Sequence, residues 1–290
     1  MRRILVASDL SARSRRAIRR AVSLTRQFGC ELIALHVVDD DLPEDIAAAE
    51  HRSAATAMHE HLVEAGAEDL VSAPVVAIRS GDPFKAIAEE ADKVDADVVV
   101  MGAHRKRLLG DVFTGTTVER VMRLGSRPVL MVNRDDGDPY RRVLAAVDLS
   151  GASAFALRKA RSIGLLDPAQ AVAVHGFLPI GEGMMYYANA DQSRIDDHIA
   201  ASAAEARAAV TAFLVNNDAD EMANRLLIEK GSPFDVVAGA AKRLETELLV
   251  IGTRAHSGLK RLLLGSVADE ALRKLDCDVL AVPPQEGTVA

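Results

Sequence analysis

The sequence contains one pattern twice, and this repeat constrains the fold more than any other feature. Residues 4–11 (ILVASDLS) correspond to residues 143–150 (VLAAVDLS), an offset of 139 positions. Residues 81–84 (GDPF) correspond to residues 231–234 (GSPF), an offset of 150 positions that holds through the last predicted strand. The second copy therefore carries 11 extra residues between its second and third strands. A chain of 290 residues has room for two domains, so the repeat predicts two copies of one fold.

Each copy alternates short apolar runs with segments that have helical spacing. The runs are rich in Val, Ile and Leu and do not alternate strictly, which is typical of strands buried on both faces. Aromatic residues make up only 3% of the chain, so aliphatic side chains must form the cores. Five strands alternating with helices predict the α/β class, with two tandem open parallel five-stranded sheets and helices on both faces. In the first copy the predicted strands are 4–8, 31–38, 75–79, 97–101 and 128–132.

Linker composition, net charge and cysteine content indicate the domain bounds, the kinds of partner and the cellular location to expect. Residues 133–139 (NRDDGDP) are typical of a linker, which predicts domains over residues 1–134 and 141–290. The formal net charge of −7 argues against nucleic acid as a partner. No apolar stretch approaches the ~20 residues of a membrane helix, and no signal-peptide pattern precedes the first strand. Cys30 and Cys277 lie in different copies, which indicates a cytoplasmic protein without a disulfide framework.

Two kinds of residue recur where ligands bind in open parallel sheets, beyond the carboxyl ends of the strands. An aspartate, Asp9 or Asp148, follows the first strand of each copy. A glycine-containing segment follows the fourth strand and leads into a helix, over residues 102–116 and 252–266. Glycine lets backbone N–H groups approach phosphate oxygens, and a helix N-terminus favours negative charge. The pattern predicts an anion site, with the aspartate available for a ribose hydroxyl or Mg²⁺.

The same residues also have a purely structural interpretation. A Ser or Thr at the start of a helix is commonly an N-cap, which stabilises the helix by ~1 kcal/mol. Asp9 and Asp148 are alternatively caps of the helices that follow them, since Asp-x-Ser is an ordinary turn between a strand and a helix. The recurrence of all these features at one sheet edge in both copies favours a binding site.

These residues resemble the universal stress protein family, in which the first strand ends in Asp-x-Ser and the nucleotide loop has the form G-x2-G-x9-G-[S/T]. Residues 251–259 (IGTRAHSGL) and 262–267 (LLLGSV) are very similar to the sequence typical of that family around its nucleotide loop. The resemblance covers essentially the whole chain, twice. It implies the strand order 3-2-1-4-5 in each copy, a pseudo-two-fold relation between the copies, adenine-nucleotide binding, and a role in stress survival rather than in a turnover reaction.

The resemblance carries over residue by residue, with one departure in each copy. The family's middle glycine is Ala255 in the second copy and Arg105 in the first. An added methyl group costs roughly 1 kcal/mol where φ is positive, whereas Arg105 either blocks the pocket or reaches the phosphates as a cation. The expected cofactor-binding residues are Asp148, Ser150, Val174, Gly252, Thr253, Ala255, His256, Gly265, Ser266 and Val267 in the second copy, and Asp9, Ser11, Gly102, Arg105, Gly115 and Thr116 in the first.

The resemblance implies a stress-response protein that binds ATP or another adenine nucleotide in its C-terminal copy, together with any Mg²⁺ that the nucleotide brings. The nucleotide is expected to act as a conformational or oligomeric switch, with at most slow hydrolysis, and a homodimer is a possible partner state. The N-terminal site is expected to be degenerate or to bind something else. Two alternatives stay open: a scaffold that binds no nucleotide and recruits a protein or small-molecule partner, and an adenylating enzyme, which the lack of a catalytic cluster near the loops disfavours.

Two segments carry further predictions. In the order 3-2-1-4-5 the last strand of each copy is an edge strand, so residues 128–132 are expected to pair with residues 278–282. The expansion over residues 178–188 (LPIGEGMMYYA) is expected at the carboxyl edge beside the C-terminal site. It is either a surface loop tucked onto its own domain or a flap or oligomer contact, because Met and Tyr give it adaptable apolar surface.

The histidines give no metal site by their spacing. His51, His59 and His61 share one predicted helix, but separations of 8 and 2 residues do not place three ligands on one helix face. His36 and His175 occupy equivalent positions at the end of the second strand and are interpreted as residues of the core edge. No nucleophile elbow or Walker A motif is present in the sequence.

Overall fold

A computed structural model describes residues 1–41, 43–103, 116–167, 170–253 and 264–284. The N-terminal repeat alternates strands and helices as the sequence predicts. Its elements are β1 (Arg3–Ala7), α1 (Ser14–Phe28), β2 (Glu31–Val38), α2 (Glu44–Glu64), β3 (Val75–Ser80), α3 (Pro83–Lys93), β4 (Val98–Gly102), α4 (Thr117–Leu124) and β5 (Val129–Val132).

The C-terminal repeat follows the same order with one additional helix. Its elements are β6 (Val143–Ala146), α5 (Gly151–Ser162), β7 (Val172–Phe177), α6 (Glu182–Tyr187), α7 (Gln192–Val215), β8 (Leu226–Lys230), α8 (Pro233–Arg243), β9 (Leu248–Gly252), α9 (Ser266–Lys274) and β10 (Asp278–Val282). The additional helix is α6, and it accounts for the predicted expansion. That segment, predicted as a loop, turns into a short helix directly after Gly181, which has φ 86°.

The strands form one continuous sheet of ten, in which each repeat contributes the predicted five-stranded half. The order is β3-β2-β1-β4-β5-β10-β9-β6-β7-β8, so each half has the predicted order 3-2-1-4-5. All neighbours within each half are parallel, whereas β5 and β10 are antiparallel, with Leu130 opposite Leu280. The predicted pairing of the two last strands is confirmed. It removes two exposed edges at once, because each strand satisfies the backbone groups of the other.

Two apolar clusters cover the two faces of the sheet. Successive residues of β1 alternate between them: Ile4 belongs to the cluster under α1, α2, α5 and α7, and Leu5 belongs to the cluster under α3, α4, α8 and α9. This alternation is what strands covered by helices on both faces require. Each cluster includes residues from both repeats, so the repeats share their cores. Among the described helices, none is long and apolar enough to cross a membrane.

The segment between β5 and β6 is held against both repeats by Asp278 at the start of β10. The backbone N–H groups of Asn133 and Arg134 donate to Asp278 Oδ1 over 2.8 and 2.9 Å. The hydroxyl of Tyr140 donates to Oδ2 over 2.5 Å. The predicted linker, residues 133–139, contains no helix or strand. Asp278 holds its start through two backbone N–H groups and holds the residue that follows it through the Tyr140 hydroxyl.

Candidate functional site

The aspartate turn after the first strand has the same geometry in both repeats. Asp9 Oδ1 accepts a hydrogen bond from the N–H of Ser11, and Asp148 Oδ1 accepts one from the N–H of Ser150, each over 3.0 Å. The leucine between them is left-handed in both copies, with φ 60° at position 10 and 63° at position 149. A leucine with positive φ is uncommon and costs energy. The carboxylate that bonds its own backbone two residues on is what holds the turn in this conformation.

Neither aspartate is the side-chain cap of the helix that follows. In the C-terminal repeat Ser150 is the N-cap of α5, and its hydroxyl accepts from the N–H of Ser153 over 3.1 Å. In the N-terminal repeat the N-cap position of α1 is Arg13, which makes no side-chain cap. The interpretation of Asp9 and Asp148 as helix caps is therefore wrong. Both carboxylates are exposed at the carboxyl edge of the sheet.

The ionisation of Asp9 is set by its turn. Desolvation by burial raises the pKa of this carboxyl, but hydrogen bonds from the Ser11 hydroxyl and N–H, and from Ser14, outweigh it and leave the pKa below its ordinary value of 3.8. Hydrogen bonds to the charged form of an acid favour that form. Asp9 is therefore an anionic acceptor at neutral pH, suited to hydroxyl groups or a cation and not to phosphate.

A histidine supports the aspartate turn from the neighbouring strand in both repeats. His36 Nδ1 lies 2.8 Å from the carbonyl oxygen of Ser8, and His175 Nδ1 lies 2.7 Å from that of Val147. A carbonyl oxygen only accepts hydrogen bonds, so Nδ1 carries the proton in both rings. The histidines thus brace the residue immediately before each aspartate. They lie half-buried at the core edge, as their position in the sequence indicates.

A cavity of about 200 Å³ opens beside the turn of the N-terminal repeat. Its walls combine the polar groups of Asp9, Ser11 and His36 with the apolar side chains of Val37 and Ile87. Apolar walls with a few convergent polar groups are typical of small-molecule sites. The predicted residues Asp9, Ser11 and Gly102 all line this cavity, and so does Arg13, which the sequence analysis did not single out as a ligand.

The glycines that end β4 and β9 are required for packing. A Cβ on Gly102 would lie 3.1 Å from the carbonyl oxygen of Arg13, and a Cβ on Gly252 would lie 2.9 Å from the carbonyl carbon and oxygen of Ala152. Backbone atoms cannot retreat as a flexible side chain can. Both positions therefore let the first turn of α1 or α5 lie directly against the sheet, which brings the aspartate turn and the fourth strand together.

The helix after the loop begins differently in the two repeats. In the N-terminal repeat Thr116 is an N-cap: its Oγ1 accepts from the N–H of Glu119 over 3.2 Å, and Glu119 Oε2 accepts from the N–H of Thr116 over 3.2 Å. This reciprocal arrangement is a capping box. The structural interpretation of Thr116 as an N-cap is confirmed. The carboxylate at this helix N-terminus is that of Glu119, a residue of the same helix.

At the equivalent place in the C-terminal repeat, no side chain of the described residues caps α9. Its N-cap position is Gly265, whose N–H donates to the carbonyl oxygen of Thr253 over 2.6 Å and so closes the two ends of the loop. Ser266 is exposed in the first turn and is not the cap. The two helix starts that look equivalent in sequence are therefore chemically different.

The positions of the remaining predicted residues do not indicate how they would contact a ligand. Val174 is fully buried in β7, Thr253 is buried at the end of β9, and Val267 is half-buried in α9. Four predicted residues lie outside the described part of the chain: Arg105, Gly115, Ala255 and His256.

The three helix histidines contact different groups. His51 Nε2 lies 2.8 Å from Ser80 Oγ, His59 Nδ1 lies 2.8 Å from the carbonyl oxygen of its own helix at Ala55, and Arg15 Nε donates to His61. Within the described residues, the group that could hold a metal ion is Asp39, Asp40 and Asp41, all exposed. The helix histidines are not part of it.

Comparison with known proteins agrees with this architecture. A model of the universal stress protein family matches residues 1–133 and again residues 139–283. Universal stress protein E of Escherichia coli strain K12 is 26% identical over 213 residues, which are 70% of this chain and 66% of that protein. A solved universal stress protein from Archaeoglobus fulgidus DSM 4304 superposes with a TM-score of 0.68 at 17% identity, covering 98% of both chains. A putative universal stress protein from Pseudomonas aeruginosa UCBPP-PA14 gives 0.64 at 21% identity, covering 98% of this chain and 94% of that one.

Proposed function

The chain belongs to the universal stress protein family, and we propose that it binds ATP or another adenine nucleotide through its C-terminal repeat as a conformational or oligomeric switch. One observation carries the proposal: the N-terminus of α4 is closed by its own Thr116 and Glu119, whereas no side chain of the described residues caps α9. An uncapped helix N-terminus leaves N–H donors and the positive end of the helix dipole for an external anion.

In this proposal, each of three residues near the start of α9 contacts a different part of the nucleotide. Gly265 gives phosphate oxygens close access to the backbone, since it has no side chain. Ser266 adds an exposed hydroxyl donor in the first turn. Asp148, exposed at the end of β6 and held by the Ser150 N–H, supplies a carboxylate for a ribose hydroxyl or for the Mg²⁺ that accompanies the nucleotide. Carboxylate oxygen is a ligand that Mg²⁺ prefers, so the residues present fit this ion.

Isothermal titration with Mg-ATP tests the proposal directly. The variant Gly265→Val should abolish binding, because a branched side chain fills the approach of the phosphates. Gly265 has φ −62° and ψ 146°, which valine adopts without strain, so the variant should fold. Gly115→Val is the matched control at the corresponding position of the N-terminal repeat and should leave the C-terminal site intact. If the wild type and Gly265→Val bind Mg-ATP with equal affinity, the assignment of the phosphate site to the start of α9 is wrong.

A second candidate function, a scaffold that recruits a partner without nucleotide, is favoured by the surface of the additional helix α6. Ile180, Met184 and Tyr187 expose 91, 77 and 93% of their surface there. Exposed apolar clusters commonly mark interaction sites. Heat denaturation of the purified protein, followed by chromatography of what is released, separates the two functions: a released adenine nucleotide supports the switch. We also propose a cytoplasmic location, which the two buried free cysteines support.

A further inference from the structure

Strand β7 holds the residue that precedes Asp148 through two hydrogen bonds. The N–H of Val147 donates to the carbonyl oxygen of Val174 over 2.9 Å, which continues the contact between β6 and β7 past the last residue of β6. The carbonyl oxygen of Val147 lies 2.7 Å from Nδ1 of His175. A carbonyl oxygen only accepts, so the imidazole is the donor. Val147 is thus bound to β7 through both of its backbone polar groups.

The equivalent turn of the N-terminal repeat has a further support from a serine hydroxyl. The carbonyl oxygen of Ser8 contacts His36 in the same way, but Ser8 Oγ also accepts from the N–H of the left-handed Leu10 over 3.1 Å. The same hydroxyl donates to Ser14 Oγ over 2.9 Å. Ser8 therefore fixes this turn through its side chain as well as through its backbone.

The C-terminal repeat has a valine at the position of this serine. Val147 stands at the 139-residue offset from Ser8 and has no hydroxyl, so its side chain offers no acceptor to the N–H of Leu149. Ser153, the equivalent of Ser14, is only 2% exposed, and its Oγ has no hydrogen-bond partner among the described residues. A buried hydroxyl without a partner is unfavourable. The C-terminal turn therefore depends on its histidine more than the N-terminal turn does.

We propose that His175 is the positioning residue for Asp148 in the nucleotide site of the C-terminal repeat. The inference rests on the proposed function, in which the Asp148 carboxylate binds a ribose hydroxyl or Mg²⁺. A binding group is effective only where its support holds it within about 0.5 Å of the required position. His175 supplies this support by holding Val147, and so it acts through the turn rather than on the nucleotide itself.

The test is isothermal titration of the full chain with Mg-ATP. His175→Ala should bind about two- to tenfold more weakly than the wild type, the effect of losing one hydrogen bond. His175→Asn should keep most of the affinity, because an amide N–H can donate to the Val147 carbonyl as the imidazole does. His59→Ala is the matched control and should bind like the wild type. His59 Nδ1 also contacts a carbonyl oxygen, that of Ala55 over 2.8 Å, but on α2 of the opposite repeat.

Two double variants separate positioning from a general loss of stability. Val147→Ser should restore affinity to His175→Ala, because a serine at this position supplies the acceptor that Ser8 supplies in the N-terminal repeat. The same hydroxyl should give Ser153 its missing partner. In an Asp148→Ala background, His175→Ala should weaken binding little further, since it then has no carboxylate to position, and residues that act together do not contribute additively.

The outcomes distinguish this inference from the proposed function. If His175→Ala binds Mg-ATP as tightly as the wild type, the inference alone is overturned. It is also overturned if neither His175→Asn nor Val147→Ser recovers the affinity, or if the losses from His175→Ala and Asp148→Ala add in full, because His175 would then serve only the fold. A wild-type protein that binds no nucleotide overturns the proposed function, and this inference with it.

Discussion

Arg20 of the N-terminal repeat and Asp278 of the C-terminal repeat form an ion pair in which both side chains are fully buried, with Nε 3.3 Å from Oδ2. Arg20 also pairs with Asp136 of the linker over 2.6 Å, and its guanidinium lies 4.2 Å from the centre of the Tyr140 ring. These contacts join helix α1, the linker and strand β10. The two repeats therefore meet through a charged network on one face of the sheet, in addition to the β5–β10 ladder.

The first prediction is that Arg20→Met lowers the free energy of unfolding by about 3–5 kcal/mol. The substitution keeps an apolar side chain of similar length but leaves the buried Asp278 without its cation, and loss of one partner of a buried pair costs this much. Arg19→Met is the control, because Arg19 is exposed and pairs with Asp135 at the surface, where such pairs contribute about 0–1 kcal/mol. Urea denaturation measures both variants, and equal losses would contradict the assignment of the network.

The second prediction concerns the packing of helix starts on the sheet. Gly252→Ala places a Cβ within 2.9 Å of the backbone of Ala152, so α5 or β9 must shift, and we expect a loss of about 1–3 kcal/mol. Gly151→Ala is the matched control, since a Cβ there meets no atom within 4 Å and lies in the first turn of the same helix. Thermal unfolding should show a clear decrease for the first variant and little change for the second. A neutral Gly252→Ala would mean that the glycine serves only the ligand.

The third prediction is a pH dependence from the Arg79–Glu90 pair. The hydrogen bond from the Arg79 side chain is the largest cause that lowers the pKa of Glu90 below its ordinary value of 4.5. A carboxyl whose pKa is lower in the folded state contributes stability that is present above pH 4.5 and is lost as the pH falls through the folded pKa. Glu90→Gln should therefore lose less stability than the wild type between about pH 5 and pH 3. Parallel curves of unfolding free energy against pH would refute it.

The fourth prediction concerns α6 and its exposed apolar side chains. The helix is anchored to its own repeat by the Glu182–Lys230 ion pair and by His198 Nε2, which lies 2.8 Å from the carbonyl oxygen of Ile180. If it covers the C-terminal site, Mg-ATP should slow chymotryptic cleavage after Tyr187, which is 93% exposed. Slower cleavage at higher protein concentration would instead indicate a contact between copies. Cleavage that depends on neither nucleotide nor protein concentration would indicate that α6 is a surface segment packed onto its own domain.

Several elements follow from the sequence because their causes are local. The predicted strand over residues 31–38 coincides with β2. A run of aliphatic residues bounded by polar ones indicates a buried strand whatever the rest of the chain does, so the prediction needs only the local sequence. The aspartate turn is predictable for the same reason, because Asp9 bonds the N–H of Ser11 only two residues away. The supporting role of His36 was missed, although its recurrence as His175 at the 139-residue offset was a usable signal.

By itself the sequence determined the repeat and the α/β class, because periodicity and repeated motifs carry that information along the chain. The strand order within each half, and the pairing of the two edge strands that follows from it, were implied by the resemblance to the universal stress protein family. Only the tertiary structure decided how the two equivalent helix starts differ. Glu119 caps α4 and its other oxygen contacts Arg273 of the opposite repeat, whereas Asp269 pairs with Arg273 four residues along its own helix. Likewise Gly102 and Gly252 are needed where helix backbones approach them, not only where a ligand might. Such contacts arise from packing between residues far apart in sequence, which no local pattern records.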